Sequence, residues 1–224
     1  MSKGRRFPLT LRISAAVGAM LTAVQVVVIL IVGAYQSRVV GSLIEEESAQ
    51  ICQARATQLG VLIDKLYLQL LTFASSDKLL SPNRAELGGF IQGLTPYLAG
   101  ELSGILFAWP DGECITSYAA SANVSDQDYF KAIMSEDSNY TVGSPAMSKT
   151  ISLPVVVLAQ AINDREGNKL GILALEVKLD ALSDVAASIK VGASGFGWIV
   201  DQRGLTIAHK DPGKVMAFNM LESA

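Results

Sequence analysis

The stretch Leu153-Pro-Val-Val-Val-Leu-Ala-Gln-Ala-Ile162 is followed, after the polar segment Asn163-Asp-Arg-Glu-Gly-Asn168, by Leu170-Gly-Ile-Leu-Ala-Leu-Glu-Val177. Short apolar runs bounded by turn residues are typical of β-strands. Asn, Asp and Gly tolerate the backbone angles of a turn, so the polar segment is expected to join the two strands. Because Pro154 to Ala159 is apolar on both faces, it predicts a central strand that is covered on each side.

Two more pairs of strands follow from the same pattern. Residues 104–109 and 113–117 flank Pro110-Asp-Gly112, which predicts a hairpin. Residues 196–200 and 205–209 repeat that arrangement around a second turn. We therefore expect one main sheet and the beginning of a second, smaller sheet module over residues 191–224, which the sequence leaves incomplete.

Helical periodicity marks the remaining segments. Residues 37–75 contain no proline, and their apolar residues recur at helical spacing: Leu59, Leu62, Leu66, Leu70 and Phe73. A second helix is predicted from a cap at Asn83, supported by Glu86, to about Leu98. Ser125 is expected to cap a short helix over 126–135. A last helix is predicted over 178–190, with Gly192 ending it.

An uncharged apolar segment, Ile13 to Gln36, precedes the long helix. At about 1.5 Å per residue it is long enough to cross a hydrocarbon core of about 30 Å, which predicts a transmembrane helix. A cleaved signal peptide is disfavoured because apolar character persists into Tyr35 without a small-residue cleavage site. Basic residues concentrate before the span: Lys3, Arg5, Arg6 and Arg12. The bias predicts a cytoplasmic N-terminus, and a periplasmic or extracellular location for the rest, at the cell inner membrane.

Charge and cysteine content restrict the exterior part. Four of the 18 basic residues and none of the 21 acidic residues precede Arg38, so the remainder carries a net charge of −7. That balance argues against nucleic acid as a partner. Cys52 and Cys114 do not form a disulfide framework, and we expect them to be unpaired. Residues 37–76 are expected to form a stalk whose lower part pairs with a second copy, giving a homodimer.

The order of these elements resembles the double Cache sensor domain over about residues 37 to 224. The matching segments are Asp126-Gln-Asp-Tyr-Phe-Lys-Ala132, Gly143-Ser-Pro-Ala-Met-Ser-Lys149, Pro154 to Ile162, Gly171-Ile-Leu-Ala-Leu-Glu176, Ser194-Gly-Phe-Gly-Trp-Ile-Val-Asp201 and Ile207-Ala-His-Lys-Asp-Pro212. The resemblance implies an α+β fold: a transmembrane and stalk helix, a PAS-like antiparallel sheet with flanking helices over 77–190, and the start of a membrane-proximal module at 191.

The resemblance also implies a function. Proteins with this exterior layout are most often methyl-accepting chemotaxis receptors, in which the membrane-distal module binds a small molecule. Less often they are sensor histidine kinases or diguanylate cyclases, and a membrane-tethered scaffold without a ligand is a third alternative. A chemoreceptor would signal to cytoplasmic proteins through a C-terminal region beyond Ala224.

In the amino-acid-binding branch of the family, an arginine two residues before an aromatic pair holds the ligand carboxylate. Gln127 takes that position here. The branch's tyrosine and aspartate after the proline are matched by Ala146 and Ser148, and its ammonium-binding aspartate by Glu176. Since a bidentate carboxylate partner is missing, the resemblance implies an amine or another small metabolite as ligand.

The candidate ligand-binding residues are Tyr118, Asp126, Asp128, Tyr129, Phe130, Tyr140, Ser144, Ser148 and Glu176. The two aspartates could face a cationic ligand or simply favour the helix N-terminus. One residue of the pair Tyr129 and Phe130 is expected to belong to the core. Glu176 shares a strand face with Ile172 and Ala174. If that face is buried, the Glu176 carboxylate needs a partner, either a ligand ammonium or Lys149. The alternative is that this face is exposed to solvent.

Catalytic and metal-binding patterns are missing from the sequence. It contains no G-x-S-x-G elbow, no Walker loop and no H-E-x-x-H motif, so neither an enzyme nor a cofactor is predicted. His209 is the single histidine, which favours a packed or solvated ring over a metal ligand. Trp109 and Trp198 are expected to serve packing.

Overall fold

A computed structural model describes residues 9–98, 100–191 and 195–222. The chain divides into two units, Met1–Gln50 and Ile51–Ala224. Helix α1 (Leu9–Ala74) contributes residues to both units. In the first unit the apolar side chains from Leu21 to Val32 are exposed on all sides of the helix. Within the described residues this is the helix that is long and apolar enough to cross a membrane, with a mean hydropathy of 1.8 in its most apolar window.

The second unit contains three more helices and eleven strands among its described residues. The helices are α2 (Arg84–Gly93), α3 (Asp128–Met134) and α4 (Leu179–Ala187). The strands are β1 (Leu102–Ala108), β2 (Glu113–Thr116), β3 (Ser121–Asn123), β4 (Tyr140–Val142), β5 (Ala146–Met147), β6 (Pro154–Asn163), β7 (Lys169–Lys178), β8 (Lys190–Val191), β9 (Gly195–Phe196), β10 (Ile199–Val200) and β11 (Thr206–Ala208). The predicted α+β class is confirmed.

Seven strands form the main antiparallel sheet, in the order β3-β2-β1-β7-β6-β4, with β5 also paired to β6. The strands predicted over 153–162 and 170–177 are the central pair β6 and β7. Both are buried along most of their length, as expected of strands covered on each side. The turn between them is held by Asp164 Oδ1, which accepts from Glu166 N and Asn168 N.

Each face of the sheet has its own apolar core. On one face, Leu66 and Leu70 of α1 are fully buried with side chains of α2 and α4. Leu59, Leu62 and Phe73 pack against this cluster, so the predicted helical stripe is confirmed. On the opposite face α3 covers the sheet, with Ile133 fully buried. The side chain of Glu176 points to this second face, because strand residues alternate and Ala174 belongs to the second cluster.

Several predicted helix ends differ from the structure. Asn83 does cap α2, accepting from Ala85 N and Glu86 N, but the helix ends at Gly93 and not near Leu98. A short 3₁₀ turn containing Pro96 follows. Proline lacks the backbone N–H that continuing the helical hydrogen bonds would require.

The predicted cap of the short helix was wrong. Helix α3 begins at Asp128 with Gln127 at the N-cap position. Ser125 is instead held outside the helix, because Asn123 Oδ1 accepts from both its N–H (3.0 Å) and its hydroxyl (2.6 Å). The last helix, α4, ends at Ala187 and not at residue 190. Gly192, its predicted terminator, lies outside the described residues.

The final segment forms two small sheets, β8-β9 and β10-β11. The predicted strand over 196–200 is divided between β9 and β10, while β10 and β11 pair as the expected hairpin. His209 is buried, with edge-on ring contacts to Phe196 and Trp198. Its Nδ1 accepts from Asp211 N at 2.9 Å, so this histidine is a packing residue.

Candidate ligand-binding site

A small cavity lies between the start of α3, the α3 face of the central strands and the segment 144–150. Its lining comprises Leu106, Val124, Gln127, Asp128, Tyr129, Ser144, Ala146, Met147, Ser148, Lys149, Thr150, Val155, Val157 and Glu176. The volume of this cavity is only about 10 Å³, enough for roughly one water molecule. The cavity is therefore closed in this structure, and the segment 144–150 forms the wall that covers it.

Glu176 is the buried acid of the cavity. Only 3% of the residue is exposed. Ser148 Oγ donates to Glu176 Oε1 at 2.6 Å, and Thr150 Oγ1 lies 3.1 and 3.0 Å from the two carboxylate oxygens. Burial raises the pKa of Glu176 above its usual 4.5, while the two hydroxyl hydrogen bonds act to lower it. The exposed-face alternative for this residue was wrong, and the hydroxyls take the place expected for Lys149.

The hydroxyl of Ser148 also organises the tight loop between β5 and β6. Its Oγ accepts from Thr150 N at 3.1 Å and from Ile151 N at 3.2 Å. Such side-chain to backbone bonds are typical of serine in turns. The Ser148 hydroxyl therefore stabilises the loop by accepting two backbone hydrogen bonds and donates its own proton in a hydrogen bond to the Glu176 carboxylate.

Gly104 makes room for the carboxylate. It lies directly opposite Glu176 in the β1–β7 register. A Cβ atom at residue 104 would stand 2.5 Å from Glu176 Oε2, closer than Cβ atoms approach other heavy atoms in proteins. Any other residue at 104 would displace the carboxylate, so glycine is needed here for close approach.

Asp128 connects α3 to the covering segment. Its Oδ1 accepts from Tyr129 N and its Oδ2 from Ser144 N, both at 2.7 Å. Tyr129 lines the cavity and is 5% exposed. Burial, and then the nearby Glu176 charge, raises the pKa of the Tyr129 phenol well above its usual range. The tyrosine thus remains a neutral hydroxyl beside the acid.

Lys149 and Asp126 form an ion pair at the rim of the cavity. Lys149 Nζ donates to Asp126 Oδ1 at 2.6 Å and to Asn123 O at 3.2 Å. The hydrogen bond from Lys149 lowers the pKa of Asp126. The side chains are 37% and 61% exposed, so this contact is a surface ion pair.

The structure brings together five of the nine predicted site residues: Asp128, Tyr129, Ser144, Ser148 and Glu176. Asp126 is at the rim. Phe130 packs in the second core, so Tyr129 is the member of the aromatic pair that faces the cavity. Tyr118 is half exposed in the turn after β2, and Tyr140 packs on Tyr67 with ring centroids 4.1 Å apart, on the opposite face of the sheet.

Thr150 and Gly104 were not predicted as site residues. No sequence pattern identifies them, because their roles depend on pairing between distant segments. By contrast, the four positions matched to the family's amino-acid-binding pattern meet in the cavity: Gln127, Ala146, Ser148 and Glu176. Among the described residues no cluster of metal-ligating side chains was found, and both cysteines are free, Cys52 exposed and Cys114 buried.

The Cache domain family matches residues 36–222, and the chain belongs to this family. The resemblance found in the sequence is thereby confirmed. Among curated proteins, none matches the chain.

Solved structures with the same fold are ligand-binding domains of chemoreceptors. The domain of Pseudomonas fluorescens CtaA in complex with L-serine has a TM-score of 0.62 at 16% identity, covering 76% of this chain and 74% of that chain. The domain of the Pseudomonas aeruginosa PAO1 amino acid chemoreceptor PctB with L-Arg has a TM-score of 0.62 at 16% identity, covering 75% of this chain and 66% of that chain. The ligand-binding domain of Mlp24 with asparagine has a TM-score of 0.63 at 15% identity, covering 81% of this chain and 76% of that chain. At these identities the likeness establishes the shared fold.

Proposed function

We propose that this chain is the extracytoplasmic small-molecule sensing part of a transmembrane chemoreceptor of the methyl-accepting type, and that it has no enzymatic activity. Membership of the Cache family supports the sensing role. The chemoreceptor assignment is supported by the fold shared with CtaA, PctB and Mlp24, whose structures hold amino acids.

The observation that carries the proposal is the buried carboxylate of Glu176. An acid on an apolar sheet face is expensive to desolvate unless a partner compensates it. Its present partners are the Ser148 and Thr150 hydroxyls. A ligand ammonium would be a stronger partner, because charge-assisted hydrogen bonds exceed neutral ones. We therefore assign Glu176 to the ammonium group of a small amine-bearing ligand.

Ligand binding at this cavity requires movement. About 10 Å³ cannot hold a metabolite, so the covering segment 144–150 must shift outward. A ligand that binds only the open arrangement shifts the population toward it. This provides a physical basis for signalling, since occupancy and the position of the segment are then linked.

The proposal includes a location and partners. The apolar part of α1 would span the inner membrane, with Lys3, Arg5, Arg6 and Arg12 on the cytoplasmic side and residues 37–224 outside. We assign residues 77–190 to the ligand-binding module and residues 191–224 to the start of a membrane-proximal module. α1 would pair with a second copy, and signalling proteins in the cytoplasm would receive the output.

A thermal-shift screen of the full chain in detergent micelles tests the proposal. The panel contains amines, amino acids, organic acids, purines and sugars, because a ligand that binds the native state raises the melting temperature. We expect a shift with amine-bearing compounds that is lost in Glu176→Gln. The matched control is Glu136→Gln, which removes an exposed acid outside the cavity.

Two outcomes would contradict the proposal. A shift with carboxylates that lack an amine would exclude the acidic site. No shift across the panel would favour a ligand-free scaffold, for which the closed cavity is the supporting observation.

A further inference from the structure

A second cavity, of about 240 Å³, lies between α1, α4 and β10. One wall is a single face of α1, because Cys52, Arg55, Ala56 and Leu59 follow the i, i+3, i+4, i+7 spacing of a helical stripe. Apart from Cys52 and Arg55, the lining residues are apolar. Every lining residue is described, and none is shared with the cavity under the covering segment. The proposed function therefore gives this second cavity no role.

Packing holds the wall opposite α1 in place. The Trp198 ring contacts the rings of His209 and Phe218, with centroids 5.7 and 5.6 Å away. Ile189 is 7% exposed and lies against Gly197, where any Cβ atom would collide with the Ile189 side chain. The second cavity is therefore already open in this structure, unlike the closed one beneath the covering segment.

Arg55 is the charged residue of the second cavity, and it has no acidic partner among the described residues. Its Nη1 donates to Gln58 Oε1 at 2.8 Å, a neutral acceptor one turn along α1. A guanidinium has five N–H donors in a planar fork that fits both oxygens of a carboxylate. The uncompensated charge and the remaining donors therefore favour a carboxylate at this edge of the cavity.

We propose that the second cavity is a separate ligand site, and that it binds a compact monocarboxylate whose apolar body is the size of a single ring. The ring would pack against Leu59, Ile189 and Trp198, and the carboxylate would face Arg55. The size follows from the volume, because an apolar cavity of about 150 Å³ can hold benzene, and the larger space here admits a carboxylate as well. This site does not depend on the one at Glu176.

The test uses benzoate as the probe and the full chain in detergent micelles. Cys52 reports the position of the ligand, because its exposed thiol is one of the lining groups. Benzoate should therefore slow the labelling of Cys52 by a maleimide. Benzamide has the same ring without the charge, so titration calorimetry should give it an affinity about 10- to 100-fold lower, as expected for a lost charged hydrogen bond.

Three variants test the role of each wall. Arg55→Met should lower the affinity for benzoate by about 10- to 100-fold and leave that for benzamide within about threefold. Arg165→Met is the matched control, because Arg165 is an exposed arginine in the turn between β6 and β7, and it should change neither affinity. Ala56→Leu fills the cavity with a residue that favours helices, so it should prevent the binding of both compounds.

The variants also separate this site from the acidic one. A thermal shift with benzoate that is lost in Arg55→Met and kept in Glu176→Gln supports the second site. A benzoate shift that persists in Arg55→Met contradicts it. For the same reason, a carboxylate shift counts against the Glu176 site only where it survives Arg55→Met.

Three further results would overturn the inference. No binding of benzoate at millimolar concentrations would remove the site. Binding of benzoate without protection of Cys52 would place the benzoate elsewhere on the chain. Equal affinities of wild type for benzoate and benzamide would show that the Arg55 guanidinium does not bind the carboxylate.

Discussion

Replacing Ser148 with alanine is expected to lower the free energy of unfolding by about 2–3 kcal/mol. The residue is 7% exposed, and its hydroxyl makes the short 2.6 Å bond to Glu176 Oε1. A hydrogen bond to a charged group contributes ~1.5–3 kcal/mol. The same substitution also removes the acceptor for Thr150 N and Ile151 N, which adds a smaller loss.

A double-mutant cycle isolates the part due to the carboxylate. In a Glu176→Gln background the Ser148 hydroxyl would meet a neutral amide, and neutral bonds contribute about 1 kcal/mol. Ser148→Ala should then cost that amount plus the same smaller loss at Thr150 N and Ile151 N. The loss at the two backbone N–H groups cancels in the cycle, so the expected coupling energy between the two residues is ~0.5–2 kcal/mol, the difference between a charged and a neutral hydrogen bond.

The assay is urea unfolding of the full chain in detergent micelles, followed by tryptophan fluorescence, with the slope m compared among variants. Ser125→Ala is the control, because Ser125 is an exposed serine that does not cap α3, and it should change stability by less than about 0.5 kcal/mol. A cost for Ser148→Ala that is the same in both backgrounds would refute the reasoning. A cost no larger than that of the control would refute it as well.

Three further predictions concern stability and access. Glu176→Gln should remove a pH dependence of unfolding. The pKa of Glu176 in the folded protein is raised above the usual 4.5, so at pH values just above 4.5 the native state binds more protons at this residue than the unfolded chain does. Wild type should therefore lose stability as the pH rises through this range, and Glu176→Gln should not. Leu70→Ala should cost about 2–5 kcal/mol in urea unfolding, because Leu70 is fully buried. A maleimide should label exposed Cys52 at once and Cys114 only after denaturation, since burial also raises the pKa of the Cys114 thiol.

The main sheet could be predicted where sequence pattern and tertiary role agree. The apolar runs that became β6 and β7 are separated by a turn whose Asp164 side chain forms the expected hydrogen bonds. The apolar stripe of α1 could also be predicted from the sequence, because Leu66 and Leu70 face the core directly. These elements could be predicted because side-chain periodicity and turn-forming residues are visible within a single segment of the sequence.

Helix ends were less predictable because competing polar groups decide them. Ser125 is a good N-cap residue, yet Asn123 lies close enough to accept both of its donors. The residue that stands at the N-cap, Gln127, makes no side-chain capping bond. Sequence distance alone does not reveal which of two neighbouring polar side chains captures a backbone or hydroxyl donor.

The site was predictable in part because Glu176 interrupts an apolar strand. Its face could not be assigned, since β7 is apolar on both sides and alternation gives no direction. The partners that define the site are remote in sequence: Ser148 lies 28 residues earlier and Thr150 lies 26 residues earlier. Only the pairing of β5 with β6, and of β6 with β7, brings them to the carboxylate.

Besides the backbone pairing of β5 with β6, the covering segment is attached to the rest of the module by polar side-chain contacts of three kinds. At one end Ser144 N donates to Asp128, at the rim Lys149 pairs with Asp126, and at the floor the hydroxyls of Ser148 and Thr150 meet Glu176. Each contact can be exchanged for water or for a ligand group, whereas the apolar cores on both sheet faces cannot. Outward opening of this segment would break the β5–β6 pairing and polar contacts that a ligand can partly replace, but it would leave the packed cores intact, so it is a response that ligand binding can drive.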